Sequence, residues 1–135
     1  MTPDELLDRM ATTLRTEIGP VVDGTYQRTQ AFMAAVVLEK SAREVRLGAE
    51  HAAADERDAR SMLGDVEAML VDAPAPLRAA LDAATASPAD AAVCVLVQAL
   101  YGARAALGDD AFAAALGRVR VALRASIDRR MEIAR

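Results

Sequence analysis

His51, Asp55 and Asp58 are the residues whose types and spacing come nearest to chemistry in this chain. Stepping by four and then three, they share one face of a helix, and an imidazole with two carboxylates there can present three ligands to a transition metal. The charges around them favour a simpler reading, a solvated face paired with Arg57 and Arg60, and no metal is expected. Hydrolytic and transfer chemistry sets a nucleophile beside a base. His51 is the only histidine, no serine or cysteine lies near it in sequence, and no Glu-x-x-His pair of the di-iron bundle type occurs. Cys94, between Val93 and Val95, is expected to be buried, neutral and space-filling. No catalytic residue and no cofactor is predicted.

The last eighteen residues offer more. They carry Arg118, Arg120, Arg124, Arg129, Arg130 and Arg135 against Asp128 and Glu132, a local charge of about +4, while the stretch up to Val71 has thirteen acids and eight bases. At 100° per residue Arg120, Arg124 and Arg135 share one flank of an apolar stripe, Arg118 and Arg129 fall on the far side, and Arg130 lands on the apolar face itself. An arginine in that place implies final turns projecting beyond the core, free to meet an anionic group or another protein. Arg120, Arg124, Arg130 and Arg135 are therefore the candidate partner-binding residues. The helix's own C-terminal dipole and an Arg124–Asp128 pair compete for the same charges.

These residues need helices to hold them. A chain of 135 residues, 53% hydrophobic but only 3% aromatic and rich in alanine, fits one domain of closely packed helices. Thr2-Pro3-Asp4-Glu5 is a start signal with a capping box. Leu6, Leu7, Met10, Leu14 and Ile18 then share a face up to Gly19-Pro20, the expected stop. A second helix, Thr25 to Leu47, is expected to turn Tyr26, Met33, Val36, Val37 and Val45 inward, with Gly48 as a stop or kink. A third carries Ala59, Met62, Leu63, Val66 and Leu70, with a possible break at Gly64. Asp72 to Pro76 reads as a linker before a short helix with Leu77 and Leu81, and Ser87-Pro88-Ala89-Asp90 as the cap of the next. That next helix, apolar almost all round from Ala91 to Leu100, is expected at the buried centre, too short and too interrupted by Gln98 and Arg104 to span a membrane. In the last helix Phe112, Leu116, Val119, Leu123 and Ile127 form the clearest stripe, so that Leu123→Asp is expected to destabilise severely. The reading is all-α, a compact bundle of five or six helices in a single domain spanning residues 1–135.

The formal charge of −4 argues against nucleic-acid binding by overall electrostatics. The lone cysteine and the acidic start at Asp4, Glu5 and Asp8 imply neither an oxidising compartment nor a secretory signal, and a cytoplasmic location is expected.

Gly24-Thr25-Tyr26, the run Ala31 to Leu38, and Arg43 to Gly48, with the opening Asp4-Glu5-Leu6-Leu7, resemble a bacterial family of small helical proteins. The resemblance covers roughly residues 4 to 50 and defines no catalytic residue. Members of that family accompany a phosphotransferase-fold kinase and an acyl-CoA dehydrogenase. The resemblance thus implies an accessory subunit in hydroxyacyl-CoA phosphorylation and breakdown. Where the family has a polar residue, often asparagine, after the paired alanines, this chain has Val36. Three functional classes stand beside one another. The first is a non-catalytic accessory protein docking through its last helix; the second is a small-molecule module with an apolar pocket, Tyr26 or Gln98 as polar anchor and Met33 in its lining; the third, ranked last for want of a motif around the one histidine, is a small enzyme using His51 with helical carboxylates. Homodimerisation is compatible with all three.

Overall fold

Thr2 starts the first helix as its sequence predicts: its Oγ1 accepts from the Glu5 N–H at 3.4 Å, and its own N–H donates to Glu5 Oε2 at 2.8 Å. The computed structural model describes residues 1–135 and contains helices only. α1 runs Pro3–Thr13, continues through a π-helical stretch at Leu14–Ile18 and ends in a turn at Gly19–Val21. The helix therefore carries Gly19 and Pro20 in its last turn and stops at Val21, one residue past the predicted end. Pro20 has no N–H to give and its ring crowds the carbonyl four residues back. The wider π turn accommodates it, with the Gly19 N–H bonding to the Leu14 carbonyl five residues behind.

α2 (Thr25–Met69) replaces the two helices expected there. Neither Gly48 nor Gly64 stops it. A glycine inside a helix costs only about 1 kcal/mol, and the flanking residues, Ala, Arg, Glu and Leu for the most part, are good helix formers. α3 (Ala75–Thr85) follows the proline-punctuated link, α4 spans Ala89–Leu107 and α5 spans Asp109–Ala134. Gly108, at φ +83°, is the single residue joining the last two, a backbone conformation that side chains resist. The predicted serine cap of α4 is absent. Ser87 Oγ instead donates to the Ala83 carbonyl, and Glu56 Oε1 on α2 accepts the Ala89 N–H at 2.9 Å.

The chain divides into two compact units, Met1–Glu50 with Arg130–Arg135, and His51–Arg129. The hydrophobic core belongs to the second. Met62, Leu63, Val66 and Leu70 of α2 pack with Leu77 and Leu81 of α3, Leu96 and Leu100 of α4, and Phe112, Leu116 and Val119 of α5. Two expectations change here. α4 buries one face, Ala92, Leu96 and Leu100, and leaves Ala91, Cys94, Gln98 and Tyr101 in water, so it is not a central helix enclosed on all sides. Its mean hydropathy of 1.3 over Ala89–Leu107 suffices for a membrane span by length and composition alone, but its inner face is committed to the core. On α5 the stripe holds at Phe112, Leu116 and Val119 and then turns away. Ala122 is buried, whereas Leu123 is 39% and Ile127 53% exposed.

The first unit has almost no core. Ala11, Ala35 and Ala42 are its buried apolar side chains, and Gly19 is covered by the Phe32 ring, 3.2 Å from where a Cβ would stand. Small residues let α1 and the first half of α2 approach closely, and salt bridges tie them. Arg15 Nη1 meets Glu39 Oε1 at 2.6 Å, and Arg46 reaches Asp4 at 3.0 Å and Asp8 at 2.6 Å. The hydrogen bonds from Thr2 and then Arg46 hold the Asp4 carboxyl below its ordinary value. A depressed carboxylate stabilises the fold above its unfolded pKa and ceases to as pH falls through its folded one. Acidification below about pH 4 is thus expected to loosen the α1–α2 pairing. Amide exchange in α1 should rise there before exchange in α4 does, and Arg46→Gln should remove the difference.

Candidate functional site

Asp55 and Asp58 do not pair with Arg57 and Arg60; they hold Arg129. The guanidinium donates from Nε to Asp55 Oδ1 at 2.9 Å and from Nη2 to Asp58 Oδ2 at 2.7 Å, and Ser126 Oγ donates to Asp55 Oδ2 at 3.2 Å. Arg129 and Asp55 are only 19% and 23% exposed, and the hydrogen bond to Asp55, then that to Asp58, raises the Arg129 pKa against the cost of burial. Eleven residues earlier on α5, Arg118 makes the same kind of contact with Asp65 at 2.7 Å. The two arginines expected on the far side of the last helix thus face α2, and they turn Leu123 and Ile127 outward. The signal for this was present in the sequence: Ala115, Val119, Ala122, Ser126 and Arg129 step by four, three, four and three, small side chains that admit a neighbouring helix. No three His, Cys, Asp or Glu side chains are grouped to hold a metal ion.

The candidate partner-binding arginines divide. Arg120 and Arg124 lie in the second unit and are exposed; Arg124 pairs only with its own helix, Nε to Asp128 Oδ1 at 3.4 Å, an ion pair in water and worth little. Arg130 and Arg135 lie in the first unit, both exposed. Arg120, Arg130 and Arg135 enter none of the chain's ion pairs.

The alternative pocket residues are divided between the two units. Tyr26 and Met33 belong to the first unit, 71% and 55% exposed, and Gln98 to the exposed side of α4 in the second. Of the other methionines on α2, Met62 is fully buried and Met69 half exposed. Two depressions are open, one along α1 at Asp8, Arg9, Thr12 and Thr13, another beside the start of α4, where Glu56 already fills the donor it would offer. Cys94 is exposed, contrary to expectation, because α4 turns it away from the core.

What sequence reasoning missed is the outer face of the first unit. Residues expected inward face water: Tyr26, Met33, Val36, Val37 and Val45 on α2, with Leu6, Met10 and Ile18 on α1, all between 37% and 71% exposed. The fold and its exposed faces define an all-α protein with helical surfaces to spare. No family model, no curated protein and no solved structure matches the chain.

Proposed function

We propose that this chain is a non-catalytic helical accessory protein of the cytoplasm, and that it docks on an enzyme of acyl-CoA or hydroxyacyl-CoA metabolism. The observation that carries the docking role is the set of large apolar side chains left in water on the first unit, Tyr26, Met33, Val37 and Val45 among them. The exposed arginines of α5 supply a basic element to steer and orient an acidic partner surface. The class of partner follows from the resemblance over residues 4 to 50, the stretch that forms most of the first unit.

The test uses a purified acyl-CoA dehydrogenase and a phosphotransferase-fold kinase from the same host, each titrated with the chain in a calorimeter. A complex with one of them is expected. It should weaken as salt rises and fall at least about tenfold in affinity with Arg120→Glu, Arg124→Glu and Arg130→Glu combined, the fold being unchanged. Absence of binding to both enzymes overturns the proposed partner class. Undiminished binding of the triple variant overturns the arginine assignment.

A further inference from the structure

α4 buries Ala92, Leu96 and Leu100, and it carries no charge from Ala91 to Ala103. On the side turned away from that core, Ala91, Cys94, Gln98 and Tyr101 step by three, four and three, the spacing of a two-helix seam. All four are exposed, Tyr101 by 55%. Asp90, Val97 and Arg104 repeat every seven residues along one flank of the seam, and they include the only two charges of the helix, of opposite sign and near its opposite ends. Asp90 enters no ion pair. Arg104 stacks over Phe112 and gives Nε and Nη2 to Asp109 at the surface, which leaves its Nη1 to offer.

The sizes and charges on this face select an occupant. A parallel second copy would set Tyr101 against Tyr101 and Ala91 against Ala91, one level crowded and another empty. An antiparallel copy, related by a two-fold at the level of Leu96, sets each Ala91 against the other copy's Tyr101 and each Cys94 against the other's Gln98. Small then meets large at four successive levels, the arrangement that lets two helices interdigitate. In the same register each Arg104 lies two residues, about 3 Å along the axis, from the level of the other copy's Asp90 on the facing flank, within the reach of an arginine side chain. Both the sizes and the charges are thus self-complementary about one two-fold.

We infer that the outer face of α4 is a homodimer interface, formed with an antiparallel second copy in which Ala91 packs against Tyr101 and Cys94 against Gln98, reciprocally about a two-fold at the level of Leu96. Every residue of the seam lies on one helix of the second unit, and residues 91 to 101 are the levels that the two-fold exchanges. This inference does not rest on the acyl-CoA reading, and it is tested on the purified chain alone.

Sedimentation equilibrium of the full chain is expected to give a dimer. Ala91→Tyr sets ring against ring twice in each dimer and should weaken association at least about tenfold. Adding Tyr101→Ala, which exchanges small for large, should recover it. Circular dichroism on both variants verifies that helix content is kept, since both side chains are exposed. Gln98→Cys reads the register directly. It should close interchain disulfides with Cys94 on mild oxidation, because the two positions share a level, whereas the two Cys94 of a wild-type dimer stand about 6 Å apart along the axis and should not join. A wild-type chain that stays monomeric at every concentration overturns the interface. A dimer indifferent to Ala91→Tyr places the contact elsewhere and overturns it as well. Loss without recovery in the double variant, or crosslinking of the wild-type chain as fast as of Gln98→Cys, overturns the antiparallel register.

Discussion

Val119→Asp is expected to abolish the cooperative thermal transition of the second unit, while Leu123→Asp, four residues on, leaves the melting temperature nearly unchanged. Val119 is wholly buried, in one cluster with Met62, Leu96, Leu100 and Phe112. A carboxylate there has no cation and no water to replace the hydration it loses. The penalty, more than about 4 kcal/mol, takes up most of the stability of a small domain. Leu123 lies 39% exposed, so its carboxylate variant can hydrate, and a change within about 1 kcal/mol is expected. Melting followed by circular dichroism reads both. The opposite order would place the core on the Leu123 side of α5.

That contrast marks where the sequence is legible. Periodicity identified the helices and, in the second unit, much of the core: Met62, Leu63, Val66, Leu70, Leu77 and Leu81 are buried as their spacing predicts. It located the Thr2 cap as well, because a capping box is purely local chemistry. It failed where a face could be assigned only by knowing what lies opposite. Tyr26, Met33 and Val37 are apolar at helical spacing, which predicts burial, yet burial needs a neighbour, and on that side of α2 the chain provides none. The alanines at 35 and 42 were the true inner face, concealed because alanine is also the commonest filler of an exposed helix surface.

Charges misled in a related way. Asp55 and Asp58 sit in a run of ionisable residues, and such a run usually faces water. Only the approach of α5 selects these two, with their partner more than seventy residues away. The arginines of the last helix looked alike in sequence, and the fold separates them into Arg118 and Arg129, which are bound, and Arg120, Arg130 and Arg135, which are not. The exposed apolar side chains of the first unit and the exposed arginines of α5 became visible together, once the internal partners had been accounted for.

Replacing Arg129 is accordingly expected to cost more than replacing any other arginine of α5. In Arg129→Met the two carboxylates of Asp55 and Asp58 remain on α2 with their cation gone, each partly withdrawn from water and each repelling the other. Breaking a fully buried pair costs about 3–5 kcal/mol; with Asp55 about one quarter and Asp58 about two fifths exposed, a loss near 2 kcal/mol is expected. Adding Asp55→Asn should return part of that loss, because the neutral amide removes half of the uncompensated charge while still accepting from Ser126. Arg124→Ala, which breaks only the exposed pair with Asp128, is expected to stay within about 0.5 kcal/mol. Urea unfolding of the three variants gives the comparison. Equal stabilities for Arg129→Met and Arg124→Ala would mean that the Asp55–Arg129–Asp58 cluster is as wet as the helix end, and that the hold of α5 on α2 comes from its apolar face and the Arg118–Asp65 pair.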